Sequence, residues 1–446
     1  MSLISKAKKL FVSFLLSCTM LTPFSASTAQ ERPTRDPSHI RIDNPVDQLP
    51  KIGEYPDRVN GTLPGMTVIA ANQPEKEVPL QLMLAWHNMQ TLKNSNTFLG
   101  PKIYNFSVDA KVLFNRDSIV GIPWSTEEYL SSLPSDTAAL MRKALDDLGY
   151  TGDTDAPTVA TWKDDKGLVT VGPMTDTGFM LCAQTHELIH GIQRTTGVKQ
   201  EDLSMSVWDF QAFLLSYEAA ANVGENIIAL ELYYIDKREK APWKYCLSAD
   251  AESLYRVDSV FYDAIQKKTY YPRALEEAGR AAFYCRFEQQ WWLDAYNGSV
   301  FCRYLDWAMQ NQLKPLSSKH YGVEQAKKTG YISEDFNLTA KVDSLPSNMF
   351  GNNDSMRQAF DWVNLLHIEK TAGKESVAYK ENLKKLEDQK NPYLGVDPRI
   401  IYLTLEASRY KLSVTSVLDY YANNTQQPAP GDHLFAPKSK INRIRS

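Results

Sequence analysis

The spacing of apolar residues predicts two long helices in the middle of the chain. The first includes residues 180–192, and the second, which is longer, runs from about Val207 to Tyr234. Both have the 3.6-residue repeat of a helix with a buried face. The apolar positions of the first helix are Met180, Leu181, Leu188, Ile189 and Ile192.

Strand-type patterns precede the first of these helices. Thr158 to Trp162 and Leu168 to Val171 read as two strands, and the polar residues 164–167 between them, which end in glycine, predict a hairpin turn. Helices and strands are therefore mixed in region 66–240, which predicts an α+β domain. From about residue 241 to 422 helical patterns dominate, and the predicted helices are 274–295, 300–312, 355–372, 376–389 and 398–422.

The first helix carries two histidines four residues apart, His186 and His190, with Glu187 beside the first. Residues at i and i+4 share a helix face, so both imidazoles can bind one tetrahedral zinc ion while the carboxylate reaches a water in the open position. The pattern predicts a zinc hydrolase with Glu187 as general base. The alternative is a polar helix face that binds no metal.

A third ligand is expected from the second helix, because no histidine follows His190 before His320. Glu218 and Glu225 lie on one stripe of that helix, amid apolar residues. Three alanines follow Glu218 and would let the two helices approach closely. We predict Glu218 as the third ligand because a bound cation compensates its charge on such an apolar surface, and Glu225 is the alternative ligand.

The motif resembles that of the gluzincin branch of the zincin metallopeptidases, in which a Glu on the following helix is the third ligand. The run from His186 to Gln193, followed by Glu218-Ala219-Ala220-Ala221, is similar to uncharacterised bacterial metallopeptidase-like domains, over about residues 160–235. The resemblance implies a zincin-like catalytic domain in region 66–240. It also implies that His186, His190 and Glu218 bind Zn²⁺.

Two further polar residues are candidates for orienting the ligands. Gluzincins often have an Asp four residues after the ligand Glu, hydrogen-bonded to a ligand His, and this chain has Asn222 there. Gln193 lies on the ligand face of the first helix, where it could orient Glu218 or a substrate carbonyl; a plain polar residue near a helix end is the alternative.

The N-terminal pattern predicts export. The sequence indicates a signal peptide over residues 1–29, with three lysines, an apolar run from Leu10 to about Phe24 and small residues before the cleavage site. A lipobox-like stretch ending at Cys18 offers acylation of that cysteine as the alternative processing route. No other apolar run is long enough to span a bilayer, so the mature chain is expected to lack a transmembrane segment. Residues 30–65 contain six prolines and predict an extended arm, and 423–446 predict a loose tail.

The net charge and the cysteine content indicate which partners and which disulfides to expect. The chain has net charge −4 and no basic tract, so nucleic acid is not an expected partner. Four cysteines remain after the signal peptide: Cys182, Cys246, Cys285 and Cys302. In an oxidising compartment one or two disulfides are expected, and we favour Cys285 with Cys302, on helices that would meet near residues 297–298.

Together these patterns predict a zinc-dependent peptidase of the bacterial cell envelope, periplasmic or secreted, that acts on a protein or peptide. An alternative is a non-catalytic envelope scaffold or binding protein in which zinc clamps two helices. A further alternative is a zinc hydrolase of a non-peptide amide or ester, which would use the same residues.

Overall fold

The fold is taken from a computed structural model of the chain. The residues that it describes are 62–63, 66–69, 80–110, 112–116, 135–136, 138–139, 142–143, 160–163, 168–171, 177–198, 202–235, 251–267, 269–309, 312–318, 320–397 and 399–401. The predicted signal peptide, the lipobox cysteine Cys18, most of the arm and the tail lie outside these residues, as do Cys246 and most of the predicted helix 398–422.

A five-stranded mixed sheet forms one layer of the N-terminal region. Its strands are β1 (Thr62–Leu63), β2 (Met66–Ile69), β3 (Leu113–Arg116), β4 (Ala160–Lys163) and β5 (Leu168–Val171). Their order across the sheet is β1-β2-β3-β5-β4, with β2, β3 and β5 parallel and the two edge strands antiparallel to their neighbours. The predicted hairpin is confirmed as β4 and β5. Thr62 and Leu63, near the end of the predicted arm, pair with β2.

Helices make up most of the remaining described chain, so the described residues are mostly helical with a small sheet, which is compatible with the predicted α+β class. They are α1 (Leu80–Asn94), α2 (Gly100–Asp109), α3 (Thr177–Thr195), α4 (Val207–Tyr234), α5 (Ala251–Gln266), α6 (Tyr271–Phe287), α7 (Gln290–Met309), α8 (Val323–Lys328), α9 (Asp354–Ala372) and α10 (Val377–Asp388). None of these described helices has an apolar stretch sufficient to cross a bilayer.

Helix α4 is the central helix and has the bounds that its apolar periodicity predicts. The side chain of Ser206 caps its N-terminus by accepting a hydrogen bond from the backbone N–H of Asp209, at 3.1 Å. Most of its residues are buried, because α3, α6, α7 and α9 all pack around it. The helix thus positions any polar side chain it carries between several other elements.

Two apolar clusters meet along α4. Apolar residues up to Tyr217, apart from Leu215, pack with α7 and α9, whereas Leu215 and the apolar residues from Ala219 onward pack with α1, α3, α5 and α6. Glu218 therefore lies at the junction of the two clusters. The second cluster spans both sides of residue 240, and the domain boundary there stays a prediction.

The predicted single helix 274–295 is wrong, because the chain turns at residues 288–289 between α6 and α7. No glycine or proline marks this turn; the guanidinium of Arg286 donates to Gln289 Oε1 across it, at 3.0 Å. The predicted break near 297–298 is also wrong. Asn297 lies inside α7 with a buried side chain, which accepts from Gln211 Nε2 at 2.7 Å and donates to the Met349 carbonyl at 2.7 Å.

This change removes the geometric reason for pairing Cys285 with Cys302. Cys182 and Cys285 are buried, and the side chain of Cys302 is outside those that the structure describes. The disulfide pairing stays a prediction.

A small β-hairpin interrupts the helical C-terminal region. Strands β6 (Tyr331–Ser333) and β7 (Phe336–Asn337) pair antiparallel directly after α8. The hairpin packs against α2 and α3, so this part of the C-terminal half touches the helix that carries the two histidines.

Candidate metal centre

Helix α3 presents its histidines on one face and buries the opposite one. The apolar residues predicted to face the core are all buried, while His186 and Glu187 are partly exposed and His190 is almost fully buried. Because one face is held in the core, the imidazoles have a fixed direction toward α4.

Three potential ligand atoms converge between α3 and α4. The Nε2 atoms of His186 and His190 lie 3.0 Å apart, and they lie 3.3 Å and 3.4 Å from Oε2 of Glu218. Their side chains are 13%, 9% and 15% exposed, so the group is mostly buried but retains some contact with solvent. These three residues form a group that could hold a metal ion.

The size of this triangle fits a tetrahedral zinc ion. Ligand atoms at ~2.0–2.1 Å from a tetrahedral centre lie ~3.3–3.4 Å from each other, and the three observed separations are within a few tenths of an ångström of that value. Two imidazole nitrogens and one carboxylate oxygen are also donors that zinc accepts.

The remaining nitrogen of each imidazole contacts another side chain. His190 Nδ1 is hydrogen-bonded to Oε1 of Gln193 at 2.8 Å, and His186 Nδ1 lies 3.6 Å from Oε2 of Glu225. Both rings therefore turn Nε2 toward Glu218. Glu225, the alternative ligand, lies behind the ring of His186 and is not part of the three-atom group.

The structure does not place Asn222 on a ligand imidazole. Its Nδ2 donates to the backbone carbonyl of Glu218, one turn earlier on the same helix, at 2.9 Å. The position that carries Asp in many gluzincins therefore contacts the helix backbone here, and Glu225 is the residue that contacts His186.

The imidazoles and the carboxylates of the group stabilise each other's charged forms. Burial by itself would lower the pKa of His186, but hydrogen bonds to Glu218 and Glu225 and the nearby charge of Glu187 raise it to about 10. Burial would raise the pKa of Glu218, but the two imidazoles outweigh it and hold that pKa well below its usual range. Without a metal, the carboxylate of Glu218 is thus neutralised by an imidazolium; a bound dication would take over that role.

Small residues of α4 allow the two ligand helices to approach. Ala219, Ala220 and Ala221 are fully buried, as their proposed role requires. Gly224 is a residue that the sequence analysis missed: a Cβ at this position would lie only 2.7 Å from Cγ1 of Ile189 on α3. The signal in the sequence was a glycine three residues after the last of these alanines, a spacing that places both residues on one face of the helix.

Tyr217 also lies against the site. Its ring stacks on His190 with centroids 4.5 Å apart and 9° between the planes, and its hydroxyl donates to the His190 carbonyl at 3.4 Å. The stacked ring of Tyr217 covers one face of the His190 imidazole and restrains its orientation. The sequence does not reveal this contact, because Tyr217 points away from Glu218 on an ideal helix.

A comparison with protein-family models, curated proteins and solved structures finds no significant match to this chain. The resemblance to gluzincins therefore rests on the motif residues, and the site is interpreted from its own geometry.

Proposed function

We propose that the protein is a zinc-dependent peptidase of the bacterial cell envelope. The observation that carries this proposal is the triangle of His186, His190 and Glu218, at zinc-ligand separations, with Glu187 next to the first ligand. A zincin-like arrangement of the domain follows the same reasoning, since the motif helix lies beside a sheet that ends in an antiparallel edge strand, β4.

The roles of the residues follow from their chemistry. His186, His190 and Glu218 would hold the ion, which when bound supplies a Lewis acid that polarises a carbonyl and acidifies a water. Glu187 accepts the proton of the attacking water and passes it to the leaving amine. Glu225 and Gln193 orient the imidazoles through their Nδ1 atoms.

The number of ligands favours catalysis over a purely structural site. Structural zinc sites usually have four protein ligands, commonly Cys or His, whereas catalytic sites have three and leave one position open. Within the described part of the chain, the group comprises three ligand residues and no cysteine. A scaffold that zinc only clamps would also gain nothing from a carboxylate at Glu187.

The location and the substrate class come from the sequence. The predicted signal peptide over residues 1–29 supports export, as a soluble protein or, through Cys18, as a lipoprotein. Envelope proteins or peptides are the expected substrates. Hydrolysis of a non-peptide amide or ester would use the same residues, so a substrate screen has to include both classes.

The test is a hydrolysis assay on the purified mature chain, with zinc content measured on the same samples. The panel contains casein, peptide libraries, cell-wall peptides, and non-peptide amides and esters. Glu187→Gln is the matched variant, since it keeps the size and hydrogen-bonding capacity of the side chain but removes the base.

We expect the wild type to hydrolyse peptides and Glu187→Gln to keep its zinc but lose activity by at least ~100-fold. Zinc in the wild type with no hydrolysis of any panel member would support the scaffold instead. Activity restricted to non-peptide esters or amides would overturn the peptide specificity and keep the mechanism.

A further inference from the structure

Gln193 connects the candidate metal centre with a distant segment of the chain. Its side chain is fully buried, and its Nε2 donates to two backbone carbonyls, that of Tyr217 at 3.0 Å and that of Thr329 at 2.8 Å. Its Oε1 is bonded to Nδ1 of His190 at 2.8 Å. Every polar atom of this amide therefore has a partner.

These contacts decide which nitrogen of His190 carries a proton. Because carbonyl oxygens only accept hydrogen bonds, the NH₂ group of Gln193 must face Tyr217 and Thr329, and its oxygen must face His190. That oxygen accepts a proton from Nδ1, so Nε2 keeps its lone pair for a metal. The carbonyl of Thr329, 136 residues further along the chain, thus helps set the tautomer of a ligand.

Thr329 belongs to a compact segment, Gly322 to Thr339, which we call the clasp. Within it, Asn337 Nδ2 and Thr339 Oγ1 both donate to the Lys327 carbonyl at 2.8 Å, and the Leu338 N–H donates to the Gly330 carbonyl at 2.8 Å. The clasp touches the ligand helices through Thr329, whose hydroxyl also lies 3.3 Å from the Ser216 carbonyl. Its internal hydrogen bonds tie Thr329 to the rest of the clasp.

We propose that Gln193 is a positioning residue that makes the zinc affinity of the site depend on docking of the clasp. If the clasp moves away, the amide loses its Thr329 partner and can rotate, and His190 is no longer held in the ligating tautomer. Linkage is reciprocal, so zinc in turn strengthens docking of the clasp. This inference rests on the zinc binding of the proposed function, but not on peptidase activity.

The first experiment measures zinc affinity of the mature chain by competition with a chelator. Gln193→Leu should lower the affinity by ~10–100-fold, the usual effect of removing a partner of a ligating histidine. Gln211→Leu is the matched control: Gln211, on α4, is also a buried glutamine, and its side chain donates to the C-terminal half, to Asn297 and Met349. We expect Gln211→Leu to keep the wild-type affinity.

Spectroscopy separates positioning from general destabilisation. With Co²⁺ in place of zinc, Gln193→Leu should change the visible absorption bands, since the direction of the His190 ring changes, whereas Gln211→Leu should leave them as in the wild type. Equal bands and equal zinc affinity in both variants and the wild type would overturn the proposal.

A double-mutant cycle tests the link to the clasp. Asn337→Ala removes the bond to Lys327 and an acceptor for the Thr339 N–H, without touching a ligand. It should lower zinc affinity in the wild-type background and leave it unchanged in the Gln193→Leu background. The same loss in both backgrounds would overturn the coupling through Gln193.

Hydrogen exchange can be measured on the wild type alone, so it tests the link between zinc binding and the clasp even if Gln193→Leu does not fold. Added zinc should slow exchange of the Thr329 and Leu338 amides and leave the amides of α10 unchanged. Zinc that binds with no effect on the clasp overturns this inference alone. A wild type that binds no zinc overturns the inference and the proposed metal site together.

Discussion

Gly224 of α4 faces Ile189 of α3 at the crossing of the two ligand helices, and a Cβ on Gly224 would lie 2.7 Å from Cγ1 of Ile189. Neither residue is a ligand. The pair sets how far apart the two helices lie, and therefore how far Glu218 stands from the two imidazoles.

Gly224→Ala should force the helices apart. We expect a loss of about 1–3 kcal/mol in the free energy of unfolding, the usual cost of overpacking, together with weaker zinc binding. Chemical denaturation and chelator competition measure the two effects. Combining Gly224→Ala with Ile189→Ala removes the clashing atom, so the double variant should recover zinc affinity; no recovery would mean that the clash is not the cause.

Replacing three polar residues of α4 one at a time should show how much each contributes to zinc affinity. Glu218→Gln removes a ligand anion and should abolish stoichiometric zinc after dialysis. Glu225→Gln should weaken zinc binding by ~10–100-fold, because it contacts Nδ1 of His186. Asn222→Ala should keep the wild-type affinity, because its amide bonds to the helix backbone. Retention of zinc by Glu218→Gln and its loss from Glu225→Gln would exchange the two roles.

Glu231 should make stability depend on pH. Its buried carboxylate accepts the N–H groups of Phe98 and Leu99, at 2.8 Å and 3.0 Å, and the hydroxyl of Tyr271 at 2.7 Å. Burial raises the pKa of Glu231 to about 7, although these hydrogen bonds oppose the shift. The folded protein therefore holds a proton between pH 4.5 and 7 that the unfolded chain releases.

The resulting contribution to the free energy of unfolding is fully present below pH 4.5 and is lost as the pH rises through 7. By linkage it amounts to about 3 kcal/mol. Denaturation of Glu231→Gln between pH 4.5 and 8 should lack this decline, whereas Glu381→Gln, an exposed position of α10, should retain it. The same decline in all three proteins would assign it to other groups.

Removing the metal should destabilise the protein. A ligand that binds only the folded state at 100 times its Kd contributes about 2.7 kcal/mol, so EDTA should lower Tm and added zinc should restore it. Glu187→Gln should respond like the wild type, since the base is not a ligand. A Tm that EDTA leaves unchanged would contradict a resident zinc ion.

Local patterns predicted much of the fold. The apolar repeat of α4 defines its two ends, since nearly every residue of that helix is buried and no competing signal interrupts it. The β4-β5 hairpin follows from two short strands around a turn. The turn at residues 288–289 could not be predicted, because no glycine or proline marks it and a side-chain contact of Arg286 spans it.

The candidate site divides in the same way. Helical periodicity alone places His186 and His190 on one face and offers Glu218 and Glu225 on one stripe, but it cannot choose between these two carboxylates. That choice depends on where α4 crosses α3, and Gly224 sets the crossing. The partners of the imidazoles are also tertiary: the Thr329 carbonyl meets Gln193 only because the chain folds back over 136 residues, a distance that no local pattern encodes.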